Sequence, residues 1–177
     1  MPAVPRMEVL DLSPSEREQA VPVIRESFEG IYRWHATRTL REIPRVRAVR
    51  GGSGILGVSM LERLVPEVGY VYYVAVAAAR RGTGIGGLLL DDALRIFREA
   101  RLEVAYAAAE EDNLPSLRLF TSRGFRPVER KELGWQEGGL GAWGLRSRMR
   151  LVYGEVLLGL RLAPAGSRPP GLAAPGL

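Results

Sequence analysis

The sequence contains no cysteine, a single histidine (His35) and a single lysine (Lys131) among its 177 residues. The absence of cysteine excludes a disulfide framework, a cysteine-ligated zinc site and a cysteine nucleophile. One histidine argues against a Ser-His triad and against a site built from several histidines, so we expect no metal. The chain also lacks a Gly-Lys-Ser or Gly-Lys-Thr sequence, which excludes a P-loop.

Long apolar runs are missing as well. Met1–Arg6 has no apolar core of the kind found in a signal peptide. No run reaches the ~20 residues of a membrane span. The longest candidate, Val68–Ala79, has the length of a strand. We therefore expect a cytoplasmic protein with no membrane partner.

Arginine, by contrast, is abundant: it supplies 24 of the 25 basic residues, and the formal net charge is +5. A positive charge favours anionic partners such as phosphates, acidic substrates or nucleic acid. The arginines are dispersed, however, and the alternating Arg146, Arg148 and Arg150 have no aromatic residues between them. This pattern is more typical of a solvated surface, so we expect no nucleic-acid partner.

Periodicity and turn residues predict helices alternating with strands in one domain, residues 1–162, before a flexible Pro/Gly/Ala-rich tail, residues 163–177. Ser13, Pro14 and Glu16 form a capping box that predicts a helix ending near Phe28. Strands are predicted over 7–12, 45–50, 55–64, 68–78, 102–108, 125–132, 145–153 and 156–162, further helices over 31–41, 88–100 and 114–122, and a loop over 133–144. This order indicates an α/β (α+β) fold.

A glycine-rich turn joins the buried strand over 68–78 to the following helix. It contains Gly82, Gly84 and Gly86, with Arg80 and Arg81 at its start. Glycines let the backbone approach a ligand closely, and the first amides of a helix bind phosphate or pyrophosphate. The glycine spacing is not that of a dinucleotide-binding turn. A purely structural turn with solvated arginines is the alternative.

Two motifs carry a resemblance to a known family. Arg81-Gly82-Thr83-Gly84-Ile85-Gly86 matches the Gln/Arg-x-x-Gly-x-Gly/Ala signature of the GNAT (GCN5-related) N-acetyltransferases. About thirty residues later, the segment Asn113–Phe125 resembles the family's Asn-x-x-Ala/Ser-x-x-Leu-Tyr-x-x-x-Gly-Phe segment. The resemblance covers roughly residues 7–132. It implies a mixed, mostly antiparallel sheet of about seven strands flanked by about four helices.

The resemblance also implies an N-acetyltransferase that moves the acetyl group of acetyl-CoA directly to a primary amine in a ternary complex. The backbone of Val74 and Val76 would pair with the pantetheine arm. Pyrophosphate would be held by the amides of Arg81, Gly82, Thr83, Gly84, Ile85 and Gly86. Asn113 and Ser116 would contact the pantetheine or an ordered water. By analogy with the family, pairing of the late strands across a homodimer is a further hypothesis.

The catalytic groups are less well defined by the sequence. Glu67 is the candidate base, because it is the acid just before the fourth strand and burial beside Tyr70 or Tyr72 would raise its pKa. Glu62, Glu110 and Glu111 are alternatives. Phe120 stands where the family commonly has a tyrosine that protonates the leaving thiolate. Water or another tyrosine, such as Tyr70, Tyr72 or Tyr106, would have to replace it.

The amine acceptor is not identified by any motif. Tyr32, Trp34 and His35, together with Trp135 and Trp143, are candidates for lining its pocket. Core packing is the alternative for these aromatic residues. Because Phe120 departs from the family pattern, an acyl-CoA-binding or regulatory module without turnover remains the second hypothesis.

Overall fold

A computed structural model describes residues 7–52, 54–129, 147–151 and 154–162. Within these ranges, strands and helices alternate along the chain. The strands are β1 (Val9–Asp11), β2 (Arg45–Gly51), β3 (Gly54–Val65), β4 (Val68–Val76), β5 (Val104–Glu110), β6 (Arg126–Pro127) and β7 (Glu155–Arg161), and the main helices are α1 (Val21–Ser27), α2 (Gly30–Glu42), α3 (Ile85–Glu99) and α4 (Leu114–Thr121). Short 3-10 helices cover Pro14–Ala20 and Ala78–Arg80.

The seven strands form one mixed sheet in the order β1-β2-β3-β4-β5-β7-β6. β4 and β5 run parallel, and every other neighbouring pair is antiparallel. A parallel pair needs a long crossover connection, and α3 lies within it. The predicted fold class, an α/β (α+β) fold with a mostly antiparallel sheet, is confirmed.

Helices cover both faces of this sheet. One apolar core joins α1 and α2 to the sheet and contains Ile24, Leu40 and Tyr70. A second core joins α3 and α4 to the sheet and contains Leu94 and Val71. Because successive residues of a strand point to opposite faces, Tyr70 and Val71 place the two cores on opposite sides of β4.

β4 and β5 pair only over their first halves. Val68–Val71 lies beside Val104–Ala107 in parallel register. After Val71 the register of β4 against β3 shifts by one residue, and Tyr72 is the extra residue of this bulge. A bulge bends and twists its strand. The end of β4 therefore turns away from β5, and a gap opens between the two strand ends.

The predicted first helix is divided in two. The Glu16 carboxylate accepts hydrogen bonds from the Ser13 N–H at 3.0 Å and the Ser13 hydroxyl at 2.6 Å, as expected for the start of a helix. The turns up to Ala20 are 3-10, and the α-helix begins only at Val21. Pro22 lies in the first turn of α1, where its missing N–H costs no internal hydrogen bond.

Two further predictions need correction. The second helix, predicted over 31–41, begins one residue earlier, at Gly30, which has a φ of +50°. The alternation over 145–153 predicted a strand, whereas Ser147–Met149 is helical. Predictions for residues 133–144 and 163–177 lie outside the described residues. Among the helices that are described, none is both long and apolar enough to span a membrane.

Candidate functional site

The end of β4 offers backbone groups to the gap beside it. The Ala77 N–H donates to the Leu56 carbonyl of β3 at 2.9 Å. Backbone groups of successive residues in a strand point to alternate sides. Those of Val74 and Val76 therefore point away from β3 and into the gap. An extended ligand arm can pair with such an edge as an added strand.

The glycine-rich turn lies at the same end of β4. Gly82 and Gly84 have φ values of +75° and +88°, which strain any residue with a side chain. Gly84 caps α3, and the first hydrogen bond of the helix runs from the Leu88 N–H to the Gly84 carbonyl at 3.0 Å. The N–H groups of residues 85–87 thus have no acceptor within the helix. Together with the helix dipole, free amides of this kind can bind an anion.

Arg81 fixes the position of this turn. Its Nε donates to the Val76 carbonyl at 3.3 Å, and its guanidinium donates to the Glu26 carbonyl at 2.6 Å. The Thr83 hydroxyl donates to the Arg80 carbonyl at 2.6 Å. Arg81 therefore ties the turn to β4 and α1, and Thr83 braces the turn from within. The Arg81 N–H donates to the Ala78 carbonyl at 3.4 Å, so this predicted ligand amide is already engaged, and the amides from Gly82 onward remain for a ligand.

Three more arginines surround the same space. Arg123 donates to both carboxylate oxygens of Asp91, at 3.0 and 3.1 Å, and lies over Gly87, where a Cβ would collide with the guanidinium. Arg80 and Arg118 are exposed, and neither makes an ion pair with the described part of the chain. Two guanidinium groups at the mouth of the gap are thus available to an anion.

The gap forms a cavity of about 600 Å³, here called the main cavity. This volume is typical of small-molecule and cofactor sites. Its lining combines the end of β4, the glycine-rich turn, the arginines and the start of α4: Ser27, Phe28, Val74, Ala75, Val76, Arg80, Arg81, Gly82, Gly84, Ile85, Gly86, Gly87, Asn113, Pro115, Ser116, Arg118, Leu119 and Arg123. Of the ten predicted ligand-binding residues, only Thr83 does not line it.

Asn113 caps α4 at the inner wall of the main cavity. Its side-chain oxygen accepts a hydrogen bond from the Ser116 N–H at 3.1 Å. An N-cap of this kind satisfies one orphan amide of the helix. The side-chain NH₂ of Asn113 is the group that remains for a ligand, so its capping and ligand-binding roles are compatible.

A second, smaller pocket of about 40 Å³ adjoins the main cavity. The two share Phe28, Val74, Asn113 and Ser116. We call it the small pocket, and its lining is Phe28, Tyr32, Tyr72, Tyr73, Val74, Ala108, Ala109, Glu110, Asn113, Ser116, Phe120 and Glu155. Two carboxylates and three tyrosines thus line a pocket that adjoins the inner end of the main cavity.

The tyrosines of the small pocket hold their protons tightly. Burial and the charge of Glu155 raise the pKa of Tyr73 to about 12. Burial, followed by the charges of Glu155 and Glu110, raises the pKa of Tyr32 well above its ordinary value. Both hydroxyls are therefore protonated at neutral pH and can act as hydrogen-bond or proton donors.

The structure does not support Glu67 as the base. Glu67 lies exposed in the turn before β4, and its carbonyl accepts from the Glu103 and Val104 N–H groups. Val74 lies seven residues further along the same strand, about 23 Å away at roughly 3.3 Å per residue. The condition for a raised pKa, burial of Glu67 beside Tyr70 or Tyr72, is not met, because these tyrosines extend along β4 away from the exposed turn.

The other acids that the sequence offered as the base lie in different parts of the structure. Glu110 lines the small pocket, whereas Glu111 is exposed and lies outside it. Glu62 is engaged elsewhere, since it pairs with Arg148 at 2.6 Å and accepts from the Tyr72 hydroxyl at 3.0 Å. Among the acids proposed from sequence, only Glu110 therefore faces the junction of the two pockets.

The aromatic residues singled out from the sequence lie partly in the core, partly at the small pocket and partly on the surface. Tyr70 and Tyr106 are buried in the core on the α1/α2 side. Phe120 is buried against Phe125, with ring centroids 5.2 Å apart, and its other side lines the small pocket. Of the aromatic residues in α2, Tyr32 lines the small pocket, but Trp34 is 56% exposed and stacks edge-on against His35. Trp135 and Trp143 lie outside the described residues.

Sequence reasoning missed Tyr73, Glu155, Arg118 and Arg123. Glu155 reaches the small pocket because β7 pairs with β5, so that Glu155 lies opposite Glu110 across 45 residues of sequence. No local pattern indicates such a pairing. Arg118 lies within the second motif, one helical turn after Leu114 at the start of α4. This position was the one feature of the sequence that could have indicated that Arg118 lines the cavity.

Comparison with known proteins identifies the family. Residues 10–125 match the profile of the acetyltransferase (GNAT) family. A mycothiol acetyltransferase of Parafrankia sp. is 42% identical over 59 residues, which are 33% of this chain and 18% of that protein. The chain thus matches less than a fifth of the length of this curated relative.

Solved structures agree on the fold. A GNAT-family acetyltransferase from Staphylococcus aureus superimposes with a TM-score of 0.68 at 14% identity, over 89% of this chain and 99% of that one. The paiA N-acetyltransferase from Thermoplasma acidophilum, solved in complex with coenzyme A, gives 0.65 at 13% identity, over 88% and 98%. The family match extends over more than half of the sequence and includes both motifs, with α3 and β5 between them. The chain belongs to the GNAT family of acetyltransferases.

Proposed function

We propose that the protein transfers an acetyl group from acetyl-CoA directly to a primary amine bound in the same complex. The observation that carries this proposal is the junction of the two pockets. The main cavity ends at the free amides of the glycine-rich turn, and at Val74, Asn113 and Ser116 it meets a small pocket lined by carboxylates and tyrosines. A long anionic cosubstrate and a small cationic one can meet there.

Acetyl-CoA fits the main cavity in one orientation. The amides of residues 82–86 would hold the pyrophosphate, with Arg80 and Arg118 beside it. The pantetheine arm would lie along Val74 and Val76 as an added strand, and contact Asn113 and Ser116. This places the thioester at the small pocket. The paiA structure supports the proposal, since a protein of the same fold holds coenzyme A.

The small pocket supplies groups for the proton transfers. The acceptor ammonium would give one proton to Glu110, which lines the pocket. The neutral nitrogen then attacks the acetyl carbon, while a strand amide near Val74 polarises the carbonyl. The C–S bond breaks and the sulfur takes a proton from Tyr73, while the nitrogen gives its second proton back to the Tyr73 oxygen through water. Glu110 then releases the first proton to solvent. The net products are the amide, free CoA thiol and one proton.

Phe120 does not prevent this chemistry. A thiol with a pKa near ~8.5 is a tolerable leaving group at neutral pH. Tyr73 lines the same small pocket as Phe120, and burial raises the pKa of its hydroxyl to about 12, so it is protonated at neutral pH. We therefore propose that Tyr73 replaces the tyrosine that the family commonly has at the position of Phe120.

The lack of a hydroxyl at Phe120 also supports a second candidate, a module that binds acyl-CoA without turnover. Release of free thiol from acetyl-CoA, measured across a panel of amines with mass spectrometry of the products, separates the two. We expect thiol release that depends on the amine, with an acetylated product. Tight acetyl-CoA binding with no release of thiol on any amine would favour the binding module.

The cytoplasmic location of the protein and the formation of a homodimer stay predictions from the sequence.

A further inference from the structure

Arg150 has a backbone conformation that favours glycine. Its φ is +53°, in the left-handed region, and it directly follows the helical turn Ser147–Met149. Arg101, which follows the end of α3, has a φ of +57° and is the one other non-glycine residue of this kind in the described ranges. Such strain persists only where other contacts hold the residue in place.

The Arg150 side chain joins α2 to β4. Its guanidinium donates to the Thr39 hydroxyl at 3.2 Å and to the Glu42 carboxylate at 2.9 Å, both in the last turn of α2. The same group lies 5.9 Å from the centre of the Tyr72 ring, close enough for a cation–π contact. Arg101 differs, because no hydrogen bond or ion pair joins its exposed side chain to the described part of the chain.

Arg148 holds the hydroxyl end of the same tyrosine. The Tyr72 hydroxyl lies 2.7 Å from the Arg148 carbonyl and 3.0 Å from the Glu62 carboxylate, and can donate to either. The Arg148 guanidinium donates in turn to Glu62 at 2.6 Å and to the Leu64 carbonyl. We call Arg148, Arg150 and Tyr72 the arginine clasp, because their contacts join α2, β3 and β4.

The arginine clasp meets the site at the bulge of β4. Tyr72 is the extra residue of that bulge, and it lines the small pocket together with the next residue, Tyr73. Burial raises the pKa of Tyr73 to about 12, and the positive charge of Arg150 opposes this rise, so the guanidinium acts on the Tyr73 hydroxyl. None of the three clasp residues is among the described residues that line the main cavity. The clasp therefore bears on the small pocket and not on the main cavity.

We propose that Arg150 is a positioning residue of the small pocket, whose side chain fixes the bulge of β4 and thereby the place of Tyr73 beside the thioester. This inference rests on the proposed function, in which Tyr73 gives its proton to the sulfur. Arg150 is not among the described residues that line either pocket, so it acts through Tyr72. The left-handed backbone of Arg150 directs its side chain toward α2 and β4, which gives the strained conformation a role.

Two glycine variants test the proposal, since glycine suits the left-handed backbone at both positions. The amine is the one that gives the wild type its fastest thiol release across the panel. Arg150→Gly should lower the single-turnover rate of acetyl transfer about tenfold, less than the roughly 10²-fold that a misplacement of about 1 Å can cost. The acetyl-CoA Kd should stay within about twofold and the melting temperature within about 3 °C. Arg101→Gly is the matched control and should change none of these quantities.

A double variant separates positioning of Tyr73 from a general loss of structure. In a Tyr73→Phe background, Arg150→Gly should lower the remaining rate by less than about twofold, because no hydroxyl is left to position. A repeated tenfold loss in that background would show that Arg150 does not act through Tyr73, and would overturn the inference.

Glu42→Gln gives the same answer without a change at Arg150. It removes one half-exposed ion-pair partner of the guanidinium, so the single-turnover rate should fall by about threefold. If Arg150→Gly does not fold, this variant decides. An unchanged rate in the folded variants would overturn the inference and leave the acetyltransferase activity standing. No thiol release by the wild type with any amine would overturn both.

Discussion

Phe120 and Tyr73 line the same small pocket, but only the tyrosine has a proton to give. Phe120 comes from the second sequence motif, whereas Tyr73 comes from the bulged part of β4. The bulge is what brings the end of β4, and Tyr73 with it, to the junction of the two pockets. A donor lost from one element can thus be supplied by a residue of another.

Tyr73→Phe should lower kcat by about 10²-fold, within the range for loss of a general acid. The acetyl-CoA Kd should not change, because Tyr73 does not line the main cavity. Adding Phe120→Tyr to this variant should restore much of the lost kcat, since the new hydroxyl would enter the same pocket. Single-turnover kinetics of the wild type and the two variants measure these changes. An unchanged kcat in Tyr73→Phe would exclude this residue as the donor.

Local residue patterns predicted the glycine-rich turn well and the surroundings of Glu67 poorly. The positive φ values of Gly82 and Gly84 require glycine, so the turn is visible in the sequence itself. The position of Glu67 relative to the site depends instead on where β4 starts and which end of it approaches the ligand. Side-chain exposure and distance along a strand are tertiary properties, which residue type does not encode.

At the scale of elements, α3 must be fixed if its first amides are to bind a ligand. Arg47 of β2 provides this attachment. Its guanidinium bonds both carboxylate oxygens of Asp92 in α3, at 2.7 and 3.0 Å, and pairs with Asp11 of β1 at 3.0 Å. The Arg47 and Asp92 side chains are only 10% and 9% exposed, so this is a buried ion pair between helix and sheet.

Asp92→Asn should destabilise the protein by about 3 kcal/mol, because it removes the buried charge partner of Arg47 and leaves the guanidinium paired only with Asp11, which is 60% exposed. The control is Asp91→Asn in the same helix. Asp91 is 57% exposed and pairs with Arg123, so its loss should cost less than about 1 kcal/mol. Urea unfolding measures both values. Equal midpoints for the two variants would contradict a stabilising role for the buried pair.

The same pair predicts how stability depends on pH. Burial opposes ionisation of Asp92, but hydrogen bonds from Arg47 and Arg95 outweigh it, so the pKa of Asp92 is lowered. A lowered carboxyl pKa contributes stability above the unfolded value of ~3.9, and this is lost as pH falls through the folded value. The melting temperature should therefore drop below about pH 4 more steeply in the wild type than in Asp92→Asn.

Element types were predicted better than element pairings. Turn residues and hydrophobic periodicity placed β2, β3 and α3 within a few residues of their observed bounds. The pairing of β5 with β7, which creates the small pocket, joins segments separated by α4 and β6. Such long-range register is set by packing of the whole sheet. It is not encoded in the pattern of either strand.

At the scale of the whole molecule, we propose that residues 1–162 form a single domain. Leu162 is 6% exposed, and its N–H donates to the Glu103 carbonyl at 2.8 Å, so the end of β7 is bound to the sheet. A chain ending after Leu162 should therefore keep its melting temperature within about 2 °C and its acetyl-CoA Kd within about twofold. A large loss of either would place residues 163–177 within the domain.

The central claim is that acetyl-CoA occupies the main cavity with its pyrophosphate on the glycine-rich turn. Titration calorimetry with acetyl-CoA on the wild type, Gly84→Glu and Gly54→Glu tests it most directly. Both glycines have positive φ and open space where a Cβ would lie, but Gly54 belongs to the β2–β3 turn. We predict binding by the wild type and Gly54→Glu, and none by Gly84→Glu. No binding by the wild type at millimolar acetyl-CoA, or full binding by Gly84→Glu, would contradict the account.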